Sequence, residues 1–169
     1  MTASQRIVLP LALIEGAHLA RLVEEFREVV AERNPDDPAV ERLTPSAYPE
    51  DAEAAKSFAE STRDDLLDRR LLDAERVRHA LAPFETDVDS LTEEEALAAR
   101  DLVILEEDID AWLRTLTSLR LVIASRLGIT TDEHELDDGD GRRDVYDWLG
   151  YRLEVLIQAA DEADARLGR

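Results

Sequence analysis

Residues 102–128, LVILEEDIDAWLRTLTSLRLVIASRLG, decide the fold. Within them Leu102, Leu105, Ile109, Trp112, Leu116, Leu119, Ile123 and Leu127 recur at steps of 3, 4, 3, 4, 3, 4 and 4. Such a heptad-like seam lies on one face of an α-helix. Upstream, Thr92 and Glu95 have the spacing of a capping box, with Leu91 where a hydrophobic staple belongs. Downstream, Gly128 stands where a left-handed residue closes a helix. The same stretch admits a second reading. Leu102-Val103-Ile104-Leu105 also reads as a short strand, with acidic Glu106, Glu107 and Asp108 then opening a shorter helix.

Working outward, the amino-terminal block repeats that order. Arg6-Ile7-Val8-Leu9 reads as a strand before a helix over 13–33, whose Leu19, Leu22, Val23, Phe26, Val29 and Val30 have helical spacing. Strands over 5–9 and 101–105 are placed to pair into a two-stranded ladder tying the two helices together. The first helix stops at Asn34-Pro35-Asp36-Asp37-Pro38, and a loop carrying Pro38, Pro45 and Pro49 follows. A second helix is expected from about residue 50, with Pro49 at its first position and Glu50, Asp51 and Glu53 in its first turn. Pro83 ends it, and its outer face is a mixed run of Asp, Glu and Arg. Residues 130–141, TTDEHELDDGDG, read as an acidic mobile loop, and 143–167 as a last amphipathic helix. Four such helices must bury their stripes against one another. The expectation is a mainly α-helical bundle in one domain spanning 1–169, with the small sheet as an addition.

Composition narrows function. Forty Asp and Glu against twenty Lys and Arg leave a net charge of −20. That charge repels nucleic-acid backbones and anionic membranes and suits a basic protein surface. With no cysteine there is no disulfide, thiolate nucleophile or Cys-ligated zinc. The opening MTASQRIVLPLALIEGAH has no basic start, and Pro10 and Glu15 break its apolar run, which reads against a secretory signal. No run of 18 apolar residues is present to span a bilayer. A cytoplasmic protein is expected.

The familiar chemical signatures fail one by one. The glycines form no Walker loop and no G-x-G-x-x-G. A di-iron bundle needs two Glu-x-x-His pairs; Glu15 and His18 supply one, and His79 follows Glu75 by four residues, not three. The acidic loop lacks the EF-hand pattern, since counting back from Gly139 puts His134 and Leu136 where Asp is required. Glu106, Glu107, Asp108 and Asp110 suit a helix start better than a catalytic pair. No catalytic residue, metal or cofactor is expected, and no enzyme. Trp112 sits on the seam and reads as core. Gly150, flanked by Trp148 and Tyr151, reads as a close helix contact, since a helical glycine costs about 1 kcal/mol against alanine. Arg120 and Arg126 lie beside apolar seam positions, where they either snorkel or pair with a carboxylate across an interface.

Three segments carry a resemblance: Asp37-Pro38-Ala39-Val40-Glu41-Arg42-Leu43-Thr44-Pro45-Ser46-Ala47-Tyr48; Ala111-Trp112-Leu113-Arg114-Thr115-Leu116-Thr117-Ser118-Leu119-Arg120-Leu121, running on to Arg126-Leu127-Gly128-Ile129; and Tyr146-Asp147-Trp148-Leu149-Gly150. In this order the chain resembles the actinomycete oxidative stress regulator family, long listed as a domain of unknown function, over roughly residues 5–165. The resemblance implies a cytoplasmic transcriptional regulator linked to a stress-type sigma factor. The thiol sensing of cysteine-bearing members does not transfer to a chain without cysteine. Charge and resemblance together point to contact with a sigma factor or polymerase subunit rather than with DNA, and to a homodimer through a flat helical face. Asp37, Arg42, Tyr48, Trp112, Arg120, Arg126, Trp148 and Gly150 are the expected partner or dimer contacts. The alternatives are a non-catalytic adaptor or assembly protein outside transcription, and a metal-binding bundle enzyme.

Overall fold

The computed structural model describes residues 5–45, 50, 52–128, 141–166 and 168. Strand β1, Arg6–Ala12, runs directly into helix α1, Leu13–Glu32. Ala12 has no side-chain oxygen to cap α1, so the third helical residue, Glu15, reaches back and accepts the Ala12 N–H at 3.2 Å. The helix leaves through Arg33, held at a left-handed φ of 51°.

The proline-rich stretch read as loop contains a short helix, α2, Pro38–Leu43. Asp37 caps it by accepting the Ala39 N–H at 2.9 Å, and Pro38 takes the first position, where its missing N–H is no loss. Six residues are too few to display a helical period, which is why the pattern does not announce α2. Its Ala39, Val40 and Leu43 are each fully buried, and that pins it. Helix α3, Ala52–Leu81, ends in a 3-10 turn, Ala82–Phe84, around Pro83.

A second 3-10 turn, Val88–Ser90, leads to α4, Glu93–Leu97. There Thr92 and Glu95 form the expected capping box, with N–H to oxygen distances of 2.8 and 3.2 Å. The chain then takes the second of the two readings of its deciding stretch. Strand β2, Ala99–Leu105, is followed by a 3-10 turn, Glu106–Asp108, and helix α5, Ile109–Leu127. Gly128 closes α5 at φ 67°. Helix α6, Arg142–Arg166, completes the described chain. The acidic stretch 130–140 and Tyr48 lie outside the described residues.

The fold is therefore mainly helical with one two-stranded antiparallel sheet, as expected. The strands run longer than expected, with Ile7 opposite Ile104, Val8 opposite Val103 and Pro10 opposite Asp101. The ladder's end bonds, Glu106 N–H to Gln5 C=O (2.9 Å) and Leu13 N–H to Ala98 C=O (3.0 Å), put odd-numbered β1 residues in the hydrogen-bonded pairs. Pro10 sits between them, with its nitrogen facing away from β2, so the ladder loses nothing by passing through it. Ile7, Leu11, Leu102 and Ile104 point inward and are buried. They meet a core built from Val23, Phe26 and Val30 of α1, Leu67, Ala74, Val77 and Leu81 of α3, Trp112, Leu116 and Leu119 of α5, and Leu149 and Leu156 of α6. Among the described residues no helix is long and apolar enough to cross a membrane.

Candidate functional site

Apart from Tyr48, which lies outside the described residues, the residues singled out in the sequence lie on α5 and on the elements packed against it, α6 and α2 with its capping residue. Arg126, in the last turn of α5, grips Asp37 with both guanidinium nitrogens at 2.6 and 2.8 Å. The hydrogen bond from Arg126 holds the Asp37 carboxyl below its usual range, and Asp37 in turn raises Arg126. Two residues chosen separately are thus each other's partner within one chain, and their pairing fixes the start of α2 on the end of α5. Arg42 lies in the last turn of α2, partly buried.

Arg120 lies one face further along α5. Its guanidinium stacks over the Tyr146 ring at 4.3 Å. A Cβ built on Gly150 would meet Arg120 Nη2 at 3.0 Å and Cζ at 3.1 Å. The missing side chain at 150 is thus what lets the guanidinium lie between α5 and α6. Arg120 Nε is buried with no hydrogen-bond partner. Trp112 is core, 2% exposed. Trp148 turns toward α1 and donates its indole N–H to Glu15 Oε1 at 3.0 Å, while Arg152 donates to both Glu15 oxygens at 2.8 Å. Burial alone pushes the Glu15 carboxyl upward. The hydrogen bonds from Arg152, Trp148 and the Ala12 N–H, together with the Arg152 charge, outweigh it and bring it below its usual value.

Two grooves lie beside α5. One, of about 360 Å³, runs between α1, α5 and α6 over Phe26, Val29, Val122, Ile123 and Val145, with Arg21 and Arg126 at its rim. The other, of about 460 Å³, lies between α3 and α5 and concentrates Arg69, Arg70, Arg76 and Arg114 around exposed Leu72. Arg70 is mostly spent inside the fold, donating to Ser118 Oγ at 2.5 Å and to the last carbonyl of α2, Leu43, at 3.0 Å. Arg114 is held by Asp73 at 2.7 and 3.0 Å.

A family model described as Domain of unknown function (DUF2017) matches residues 1–160. The chain belongs to this family. No curated protein and no solved structure matches it.

For this DUF2017 chain the geometry explains the sequence's one apparent metal pair. Glu15 is turned to Trp148 and Arg152 of α6, whereas His18, three residues on, is exposed on the outer side of α1. Among the described residues no three His, Asp or Glu side chains converge as metal ligands. Sequence reading missed Glu15 as the carboxylate that docks α6. The available signal was its place at the third helical position after Ala12, where a capping carboxylate is expected.

Proposed function

We propose that the chain is a cytoplasmic transcriptional regulator of the oxidative stress response, working without catalysis by contact with a sigma factor or RNA polymerase subunit. The observation that carries this reading is the net charge of −20 and where it is displayed. On the outer side of α1, Glu24, Glu28 and Glu32 stand exposed four residues apart, a spacing at which like charges repel by a few tenths of a kcal/mol per pair, and Arg27 pairs with Glu24 at 2.9 Å. A cationic protein surface relieves that repulsion on docking, whereas a DNA backbone increases it. The resemblance of the three quoted segments to a regulator family supports the transcription assignment. Sensing by a thiol of this chain has no part in the proposal, because there is no cysteine.

The test is a capture experiment with the purified chain in lysate of its source organism, at low and at moderate salt, with bound proteins identified by mass. A sigma factor or polymerase subunit retained at low salt and released at higher salt is the expected result. Retention of a protease or assembly subunit, with no polymerase component, replaces the reading with that of an adaptor.

A further inference from the structure

The outer face of the β1–β2 ribbon has no covering element among the described residues. Antiparallel register puts four pairs on this face in order: Arg6 with Leu105, Val8 with Val103, Pro10 with Asp101, and Ala12 with Ala99. Val8 is 46% exposed, and Val103 and Leu105 are each 39% exposed. The centre of the face is therefore apolar and uncharged, in a chain carrying −20. Among the described residues its only charges are Arg6, on β1 at one end, and Asp101, on β2 toward the other end. They are separated by four residues of strand, about 13 Å. Among the described residues neither Arg6 nor Asp101 has a hydrogen-bond or ion-pair partner, whereas the other arginines packed nearby, Arg100 and Arg152, are engaged, with the Pro83 carbonyl and with Glu15.

We propose that this face is the docking surface for a second copy of the chain. The two ribbons would pack face to face about a twofold axis that lies in the interface, perpendicular to the line from Arg6 to Asp101 and passing between Val8 and Val103. The argument is self-complementarity. A twofold contact joins the same patch on both copies, so any charge on it must find its opposite on the same patch. A face with one cation and one anion on opposite strands, either side of an apolar centre, meets that condition, and one with a single sign does not. The axis sets Arg6 of each copy against Asp101 of the other and brings Val8 and Val103 together at the centre. Lateral addition of a strand to β1 is disfavoured, because its free edge includes Pro10, which has no N–H to donate. Contact through the face does not use that edge. The face presents eight residues, against the roughly 20–30 a side of a stable interface, so the dimer is weak and depends on concentration. This inference stands apart from the transcription reading, and either holds without the other.

Analytical ultracentrifugation over a concentration series reaching the millimolar range tests it, with circular dichroism as the check on folding. All substitutions are at exposed positions outside the core. Wild type associates as concentration rises, and Val103→Asp abolishes the association. Arg6→Asp and Asp101→Arg each weaken it by about tenfold or more, corresponding to two lost charge pairs per dimer. The double variant Arg6→Asp/Asp101→Arg recovers it to within about threefold of wild type. General charge repulsion predicts something else, since Asp101→Arg lowers the net negative charge and would strengthen association by that route. The proposal is overturned if wild type stays monomeric throughout, if Val103→Asp associates like wild type, if Asp101→Arg associates more strongly, or if the double variant is no better than the singles.

Discussion

Gly16 is fixed by what occupies the place of its side chain. A Cβ there would lie 2.1 Å from Phe84 Cδ1 and 2.4 Å from Cγ, and Phe84 is fully buried. The ring cannot step aside without opening the junction of α1 with the turn that ends α3. Gly16→Ala should therefore cost about 1–3 kcal/mol through overpacking, read as a lower urea midpoint with an unchanged m-value. Gly150→Ala is a milder case. Its Cβ would press only on the end of the Arg120 side chain, and alanine regains about 1 kcal/mol of helix preference. A Gly150→Ala loss equal to that of Gly16→Ala would show that Arg120 is as immobile as Phe84. Glu15 gives a prediction in pH. Its carboxyl is lowered from the ordinary 4.5, so the folded chain binds that proton less readily than the unfolded chain does. The stabilisation is fully present above pH 4.5 and is lost as pH falls through the lower folded value. The stability gap between wild type and Glu15→Gln should then be widest near neutrality and close on acidification. A gap independent of pH would mean that the glutamine amide serves Trp148 and Arg152 equally well.

Helix α2 shows how an element with no pattern of its own is held. Asp37 does two things there: it caps the helix through the Ala39 N–H, and it pairs with Arg126 of α5. Asp37→Ala loses both and should cost about 1–2 kcal/mol, more than Arg126→Ala, which leaves the cap in place. A double-mutant cycle on the two positions isolates the pair, with a coupling of about 0.5–1 kcal/mol expected for two partly exposed groups. Equal single losses would show that the cap contributes nothing. The same element marks the limit of what the sequence reveals. Thr92 with Glu95, Gly128 after α5 and the seam from Ile109 onward are local signals, and each was legible because it depends only on near neighbours. Leu102 and Leu105 fit the helical seam by spacing but belong to β2, because pairing with β1, a partner ninety residues away, overrides a period shared by chance. Pro10 reads as a break, and only the parity of the ladder shows that it is harmless. At the candidate site, Arg126 was legible as a charge beside apolar seam positions, and Asp37 as part of the proline-punctuated turn and the segment that carries the resemblance. That they are partners, 89 positions apart in the chain, is something no local spacing encodes.

Charge over the whole molecule acts against the fold that these pairs support. Twenty excess negative charges repel one another at separations well beyond contact, whereas Arg126–Asp37 and Arg152–Glu15 act at about 3 Å. Salt distinguishes the two by range. Raising ionic strength from 0.01 to 0.15 M shortens the Debye length from about 30 Å to about 8 Å, which removes most of the long-range repulsion and leaves bonded, partly buried pairs largely intact. Thermal unfolding at pH 7 should therefore move upward with added sodium chloride over that range, by about 2–4 °C for each kcal/mol of repulsion relieved. An uncharged osmolyte at matched osmolality, run in parallel, separates screening from general exclusion effects. A melting temperature that falls with salt would mean that attractive pairs dominate the balance. It would also weaken the case for a cationic partner, because the relief of repulsion that favours docking would then be small.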